Sequence, residues 1–95
     1  MAYRLTRKAR SAVLDIWRYI ANDNEAAADR FIDRLIQQFR LLGEMPHIGR
    51  QRDELRAGYR SFPVGEYVIF YRVATPRVQI MNIVHGRRDV RRYPF

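Results

Sequence analysis

Residues 58–84, GYRSFPVGEYVIFYRVATPRVQIMNIV, hold three runs rich in Val, Ile, Tyr and Phe. Gly58 to Pro63, Tyr67 to Val73 and Val78 to Val84 are each of strand length, and β-branched and aromatic side chains suit a pleated, half-buried surface. Val64-Gly65-Glu66 and Ala74-Thr75-Pro76-Arg77 separate them as turns, so the three form an antiparallel meander. The middle run, Tyr67-Val68-Ile69-Phe70-Tyr71, is apolar on both faces. That pattern fits a central strand covered by helices on one side and by something else, such as a partner, on the other.

Upstream, His47 to Leu55 has neither helical nor alternating periodicity and reads as a structured loop leading from helices to sheet. Before it, Ala28, Phe31, Leu35, Phe39 and Leu42 make an apolar stripe at helical spacing that runs to Gly43 and Pro46. Asn22-Asp23-Asn24 supplies cap-type residues for that helix, and Glu25 stands in its first turn, where the helix dipole favours an acid. Arg30, Arg34 and Arg40 are expected to stay solvated. An earlier helix spans Arg7 to about Asn22, with Ala9, Val13, Ile16, Trp17 and Ile20 on its apolar side and Thr6 as its N-cap. The short link between the two helices implies an antiparallel hairpin. Residues 2–5 are a short strand, joining the meander on a side the pattern leaves open. Trp17, Phe31 and Phe39 read as core, and Pro46, Gly49, Gly58 and Gly65 as backbone punctuation.

The expected fold is therefore α+β, a small antiparallel β-sheet with an N-terminal two-helix hairpin packed on one face, in the order β-α-α-β-β-β. A length of 95 residues fits one domain, 1–95, and 47% hydrophobic against 29% charged residues supports a folded core. The absence of cysteine excludes disulfides and thiolate metal sites and fits a reducing cytoplasm. Arg4, Arg7, Lys8, Arg10 and Asp15 break up any apolar run at the N-terminus and no later stretch approaches membrane-spanning length, so neither a signal peptide nor a membrane span is expected.

The net charge of +8 comes from 17 arginines and one lysine. Guanidinium groups favour bidentate recognition of carboxylates or phosphates, so the expected partner is acidic: nucleic acid, an acidic protein segment, or an acidic patch on a large enzyme. His47 and His85 are far apart and lack paired carboxylates, so neither a metal nor another cofactor is expected. Arg60 and Arg72 lie on strands, where a cation either emerges onto an open sheet face or pairs with an acid such as Asp53, Glu54 or Asp89. His85 follows a strand and precedes Gly86, a position for a side chain presented at the sheet rim, with hydrogen bonding or partner contact weighed above catalysis. Arg87 to Arg92 form a basic tail suited to an acidic contact.

Several segments carry a resemblance that spans essentially the whole chain. Asn24 with Ala26-Ala27-Ala28-Asp29-Arg30-Phe31-Ile32, Pro46-His47-Ile48-Gly49-Arg50, Glu54-Leu55-Arg56-x-Gly58-x-Arg60, Tyr67-Val68-Ile69-Phe70-Tyr71-Arg72 and Val84-His85-Gly86-Arg87-Arg88-Asp89 occur in the order found in the RelE/ParE toxins. They resemble the ParE branch, which implies the toxin of a type II toxin-antitoxin system that poisons DNA gyrase and is silenced by a ParD-like antitoxin in a hetero-oligomeric complex. In such a toxin Arg60, Arg72, His85, Arg87, Arg88, Arg91 and Arg92 are the expected partner-binding residues, and no catalytic residue is favoured.

The superfamily's RelE-like members imply an alternative, a ribosome-dependent mRNA endonuclease. Metal-free RNA cleavage needs a base for the 2′-hydroxyl, an acid for the leaving oxygen and cations on the phosphoryl oxygens. Arginine, with a pKa above ~12, is hardly a base, so Arg60 and Arg87 would stabilise charge while His85 and Tyr93 moved protons. Arg87 and Tyr93 are similar in spacing to the C-terminal arginine and tyrosine of RelE-like enzymes. At other strand positions where those enzymes place cations, this chain has Phe62 and Val68. A nontoxic relic that only binds its antitoxin is the third reading.

Overall fold

Two side-chain caps start the two helices. In the computed structural model, which describes residues 2–87, α1 spans Arg7–Ala21 and α2 spans Glu25–Glu44. Thr6 Oγ1 accepts from the Ala9 N–H at 3.2 Å, and Asn24 Oδ1 accepts from the Ala27 N–H at 3.0 Å. Each bond satisfies a first-turn donor that has no carbonyl within its own helix. The link folds tightly because the N–H groups of Asp23 and Asn24 both donate to the Ile20 carbonyl. The antiparallel hairpin is as the periodicity implied, and Arg30, Arg34 and Arg40 are exposed.

The strands are β1 Tyr3–Leu5, β2 Arg50–Gln51, β3 Tyr59–Val64, β4 Tyr67–Arg72 and β5 Val78–His85, in the sheet order β1-β5-β4-β3-β2. The α+β fold and the meander β3-β4-β5 match the expectation, with β4 central. Two features differ. The sheet is mixed, because β1 pairs parallel with β5, Tyr3 opposite Val78 and Leu5 opposite Ile80. The loop after Pro46 also contributes β2, which pairs antiparallel with β3 as a two-residue edge. Shortness and an exposed arginine suit it to that edge, where a long apolar strand invites pairing with other chains. Gly65, at φ 58°, opens the two-residue β3–β4 loop, a position whose left-handed backbone favours glycine.

Helices cover one face of the sheet. Leu35, Phe39 and Leu42 of α2 and Ala9 and Ile16 of α1 are buried against Val64, Ile69, Tyr71, Val78, Ile80 and Ile83. Burying each large apolar side chain contributes about 1.5–3 kcal/mol. Gly43 lies inside α2 where the helix crosses β1, and a Cβ there would come within 2.7 Å of the Ala2 Cβ. Trp17 is half-buried instead of core: its indole N–H donates to Asp29 Oδ1 at 2.8 Å and ties the two helices together.

Candidate functional site

At one end of the sheet, the segment after α2 is held by side chains from the strands. Tyr71 is fully buried, and its hydroxyl donates to the Pro46 carbonyl and accepts from the Gly49 N–H, both at 2.8 Å. Arg60 donates from Nη1 to the Gly49 carbonyl at 2.8 Å and to the His47 carbonyl at 3.2 Å. These bonds satisfy backbone groups that the sheet leaves without partners. Burial pushes the Tyr71 phenol above its ordinary pKa, opposed by the Gly49 hydrogen bond and the charge of Arg60. Gly49 adopts no left-handed φ; a Cβ there would lie 2.6 Å from Tyr71 Cε1 and closer still to the hydroxyl. It is a close-approach glycine rather than a turn residue.

At the other end, His85 closes β5 opposite Tyr67. Its ring stands edge-on to Tyr67 at 5.2 Å, and Tyr67 in turn packs 5.4 Å from Phe31. His85 Nδ1 accepts from the Arg87 N–H at 3.2 Å, and Nε2 lies 3.7 Å from Glu66 Oε2. The ring thus turns Nδ1 to the backbone and Nε2 toward Glu66. Beside it, Ala12, Ile16 and Tyr19 of α1 and Asn82, Ile83 and Val84 of β5 line an open groove of about 510 Å³.

The face away from the helices is not bare. Phe70 of β4 is fully buried, and the Arg52 guanidinium sits 5.8 Å from its ring centroid. Arg52 also donates to Ser61 Oγ at 3.2 Å and from Nε to Glu54 Oε2 at 2.8 Å. That hydrogen bond holds the Glu54 carboxyl below the usual carboxylate range. Phe70 is thus covered by other residues of this chain, Arg52 among them.

Arg60 lies in the row of Tyr71 and His85 in the row of Tyr67, so their rows are four positions apart along β4. At roughly 3.3 Å per residue, that places the two at opposite ends of the sheet, about 13 Å apart along the strands. Arg72 is exposed on the face opposite Arg60 and donates to Gln79 Oε1 at 2.9 Å. Neither arginine is held by Asp53 or Glu54: Asp53 accepts from the Gly58 N–H, and Glu54 pairs with Arg52. Arg87 is exposed beyond His85, while Arg88, Asp89, Arg91, Arg92 and Tyr93 lie outside the described residues. Among the described residues no cluster of His, Asp and Glu is arranged to hold a metal, and no helix is long and apolar enough to cross a membrane.

The groove escapes a sequence reading that assigns helical aromatics to the core. Tyr19, 76% exposed, forms one of its walls. Its signal is its position: a large aromatic away from the 13, 16, 17, 20 stripe has no core to fill.

Residues 3–90 match the model of the family described as the ParE toxin of the type II toxin-antitoxin system parDE. The chain is 37% identical over 91 residues to Toxin ParE1 of Caulobacter vibrioides, spanning 94% of this chain and 93% of that protein. Its fold is similar to a chain of the chromosomal ParDE system of P. aeruginosa, with a TM-score of 0.75 at 22% identity over 90% of this chain and 95% of that one. It is also similar to a chain of the toxin-antitoxin complex RelBE2 of Mycobacterium tuberculosis, with a TM-score of 0.57 at 26% identity over 88% and 95% of the two chains.

Proposed function

The chain belongs to the ParE toxin family of type II toxin-antitoxin systems, and on that premise we propose that it stops growth by binding DNA gyrase and is silenced by a ParD-like antitoxin. It acts in the cytoplasm as a binding protein with no catalytic residue of its own.

What most supports a binding mode over RNA cleavage is the separation of Arg60 from His85 along the sheet. A nuclease needs its cation and its base on one phosphate, within hydrogen-bond reach of the reacting atoms. Here Arg60 is engaged with two backbone carbonyls, and His85 turns Nδ1 to the Arg87 N–H. Phe62 and Val68 add no cation to the strands between them. A surplus of exposed arginine on a +8 chain instead suits an acidic protein surface.

The reading is tested with purified components. The chain is expected to halt supercoiling by gyrase or trap it on cut plasmid, to lose that effect when antitoxin is added, and to leave ribosome-bound message intact. Unimpaired gyrase together with message cut in the ribosomal A site would replace it with the nuclease reading.

A further inference from the structure

Three neighbouring strands repeat one pattern. Tyr3 and Leu5 of β1, Val78 and Ile80 of β5 and Tyr71 of β4 pack into or against the core beneath the helices. Successive side chains on a strand point to opposite faces, so Arg4, Gln79 and Arg72 project from the face away from the helices. The register brings these three into one row, with Arg4 opposite Gln79 on one side and Arg72 opposite it on the other. With strands ~4.8 Å apart, the backbones of the two arginines stand roughly 10 Å from each other across Gln79. Both arginines are exposed, as is Arg77 just before β5.

The cations of this row are available. Arg72 Nε donates to Gln79 Oε1 at 2.9 Å, which turns the guanidinium toward β5 and leaves its terminal nitrogens without a partner among the described residues. Neither Arg4 nor Arg72 forms an ion pair among the described residues. On the same face Glu54 is occupied by Arg52 at 2.8 Å. An exposed charge on β1 blunts a sheet edge. Edge protection gives no reason for Arg72, however, because β4 is flanked by β3 and β5.

The composition of the row selects its ligand. A protein interface keeps charge away from its centre and buries aromatic and apolar side chains there. This row offers none: Tyr59, beside Arg72, is 5% exposed, and Phe70 is fully buried. Burial of those rings also removes the stacking platform that holds the bases of single-stranded RNA or DNA. Guanidinium groups separated by a neutral amide suit the phosphates of a duplex, which presents one charge per ~3.4 Å of axis on each strand and is held there without base contacts. We propose that Arg4 and Arg72, with Gln79 between them and Arg77 at the end of the row, form a sequence-independent site for the backbone of duplex DNA. Duplex DNA is also what gyrase holds, so a gyrase-bound toxin would reach it through this face. That use rests on the gyrase reading above; the DNA contact itself does not.

Binding of a labelled DNA duplex of about 20 base pairs by the full chain, followed by fluorescence anisotropy across a salt series, tests the site. Two double variants remove the same charge from different faces: Arg4→Gln with Arg72→Gln from the sheet, and Arg30→Gln with Arg40→Gln from α2, where both arginines are exposed. Thermal melts check that each folds. The sheet variant is expected to bind on the order of 10-fold more weakly at low salt and to flatten the slope of log affinity against log salt by about 2. The α2 variant is expected to stay within about 2-fold of the parent. Equal weakening in both variants would reduce DNA binding to net charge and overturn the site, as would an unchanged sheet variant or a parent that binds single-stranded RNA more tightly than the duplex. A parent that leaves the duplex unbound, with gyrase inhibition lost in the sheet variant, would assign the face to a protein and overturn the DNA site while the gyrase reading stands.

Discussion

Replacing Gly49 with alanine is expected to cost about 3–5 kcal/mol of stability, a large part of the ~5–15 kcal/mol of a typical domain. The new Cβ would overlap the Tyr71 ring, 2.6 Å from Cε1 and 2.8 Å from Cζ. The ring has no room to retreat, because Tyr71 is fully buried in the core cluster. Forcing in a methyl group costs roughly 1–3 kcal/mol by overpacking, and separating the loop from the hydroxyl leaves buried polar groups unpaired at about 1–3 kcal/mol each. Urea denaturation followed by circular dichroism measures the loss. A midpoint shift worth less than ~1 kcal/mol would mean that the loop moves freely and that Tyr71 does not fix it.

Tyr71→Phe is expected to cost about 2–4 kcal/mol without creating any clash, because the Gly49 N–H and the Pro46 carbonyl each lose a partner inside the protein. The two substitutions should also couple. Without the hydroxyl, the closest overlap with the alanine Cβ is gone, so the double variant should be more stable than the sum of the single losses by about 1–3 kcal/mol. Additive losses would show that the two residues act separately. The pH dependence carries the same signature. The folded Tyr71 pKa lies above the ordinary value of 10.0, so the unfolded chain releases this proton first. The stabilisation is therefore complete below pH 10.0 and is lost as pH rises from there through the raised folded pKa. Stability of the parent should decline more steeply than that of Tyr71→Phe in that window.

Much of the fold is local, and local features are legible in sequence. Thr6 and Asn24 cap the helices because a side-chain oxygen needs only the N–H three residues ahead, and the helical and strand periodicities flank them. The two departures in the sheet have the opposite character. β1 has three residues, and its direction depends on Thr6 meeting the Ile80 carbonyl, 74 positions away. β2 is the polar pair Arg50–Gln51, with no apolar alternation to mark it as a strand.

The same distinction explains the site residues. Arg60 reads as an available cation because nothing near it in sequence reveals that the His47 and Gly49 carbonyls lie within its reach. Gly49 looks like a turn glycine until Tyr71 is known to lie against it, and the Tyr71 hydroxyl is hidden in a strand that otherwise reads as apolar. Where a side chain meets a neighbour close in sequence, its role was readable; where its partner arrives from another element, only the three-dimensional arrangement reveals it.

The gyrase-binding role is tested most directly by inducing this chain alone in growing bacteria and following DNA and RNA in one culture. Plasmid supercoiling and double-strand breaks report on gyrase, while mapped RNA ends on ribosome-bound messages report on cleavage. The expected result is broken or relaxed DNA with intact messages, reversed when the antitoxin is supplied. RNA ends in phase with codons and undamaged DNA would contradict it, and growth that continues unimpaired with soluble, folded protein would point to a chain that has kept its fold and lost its toxicity.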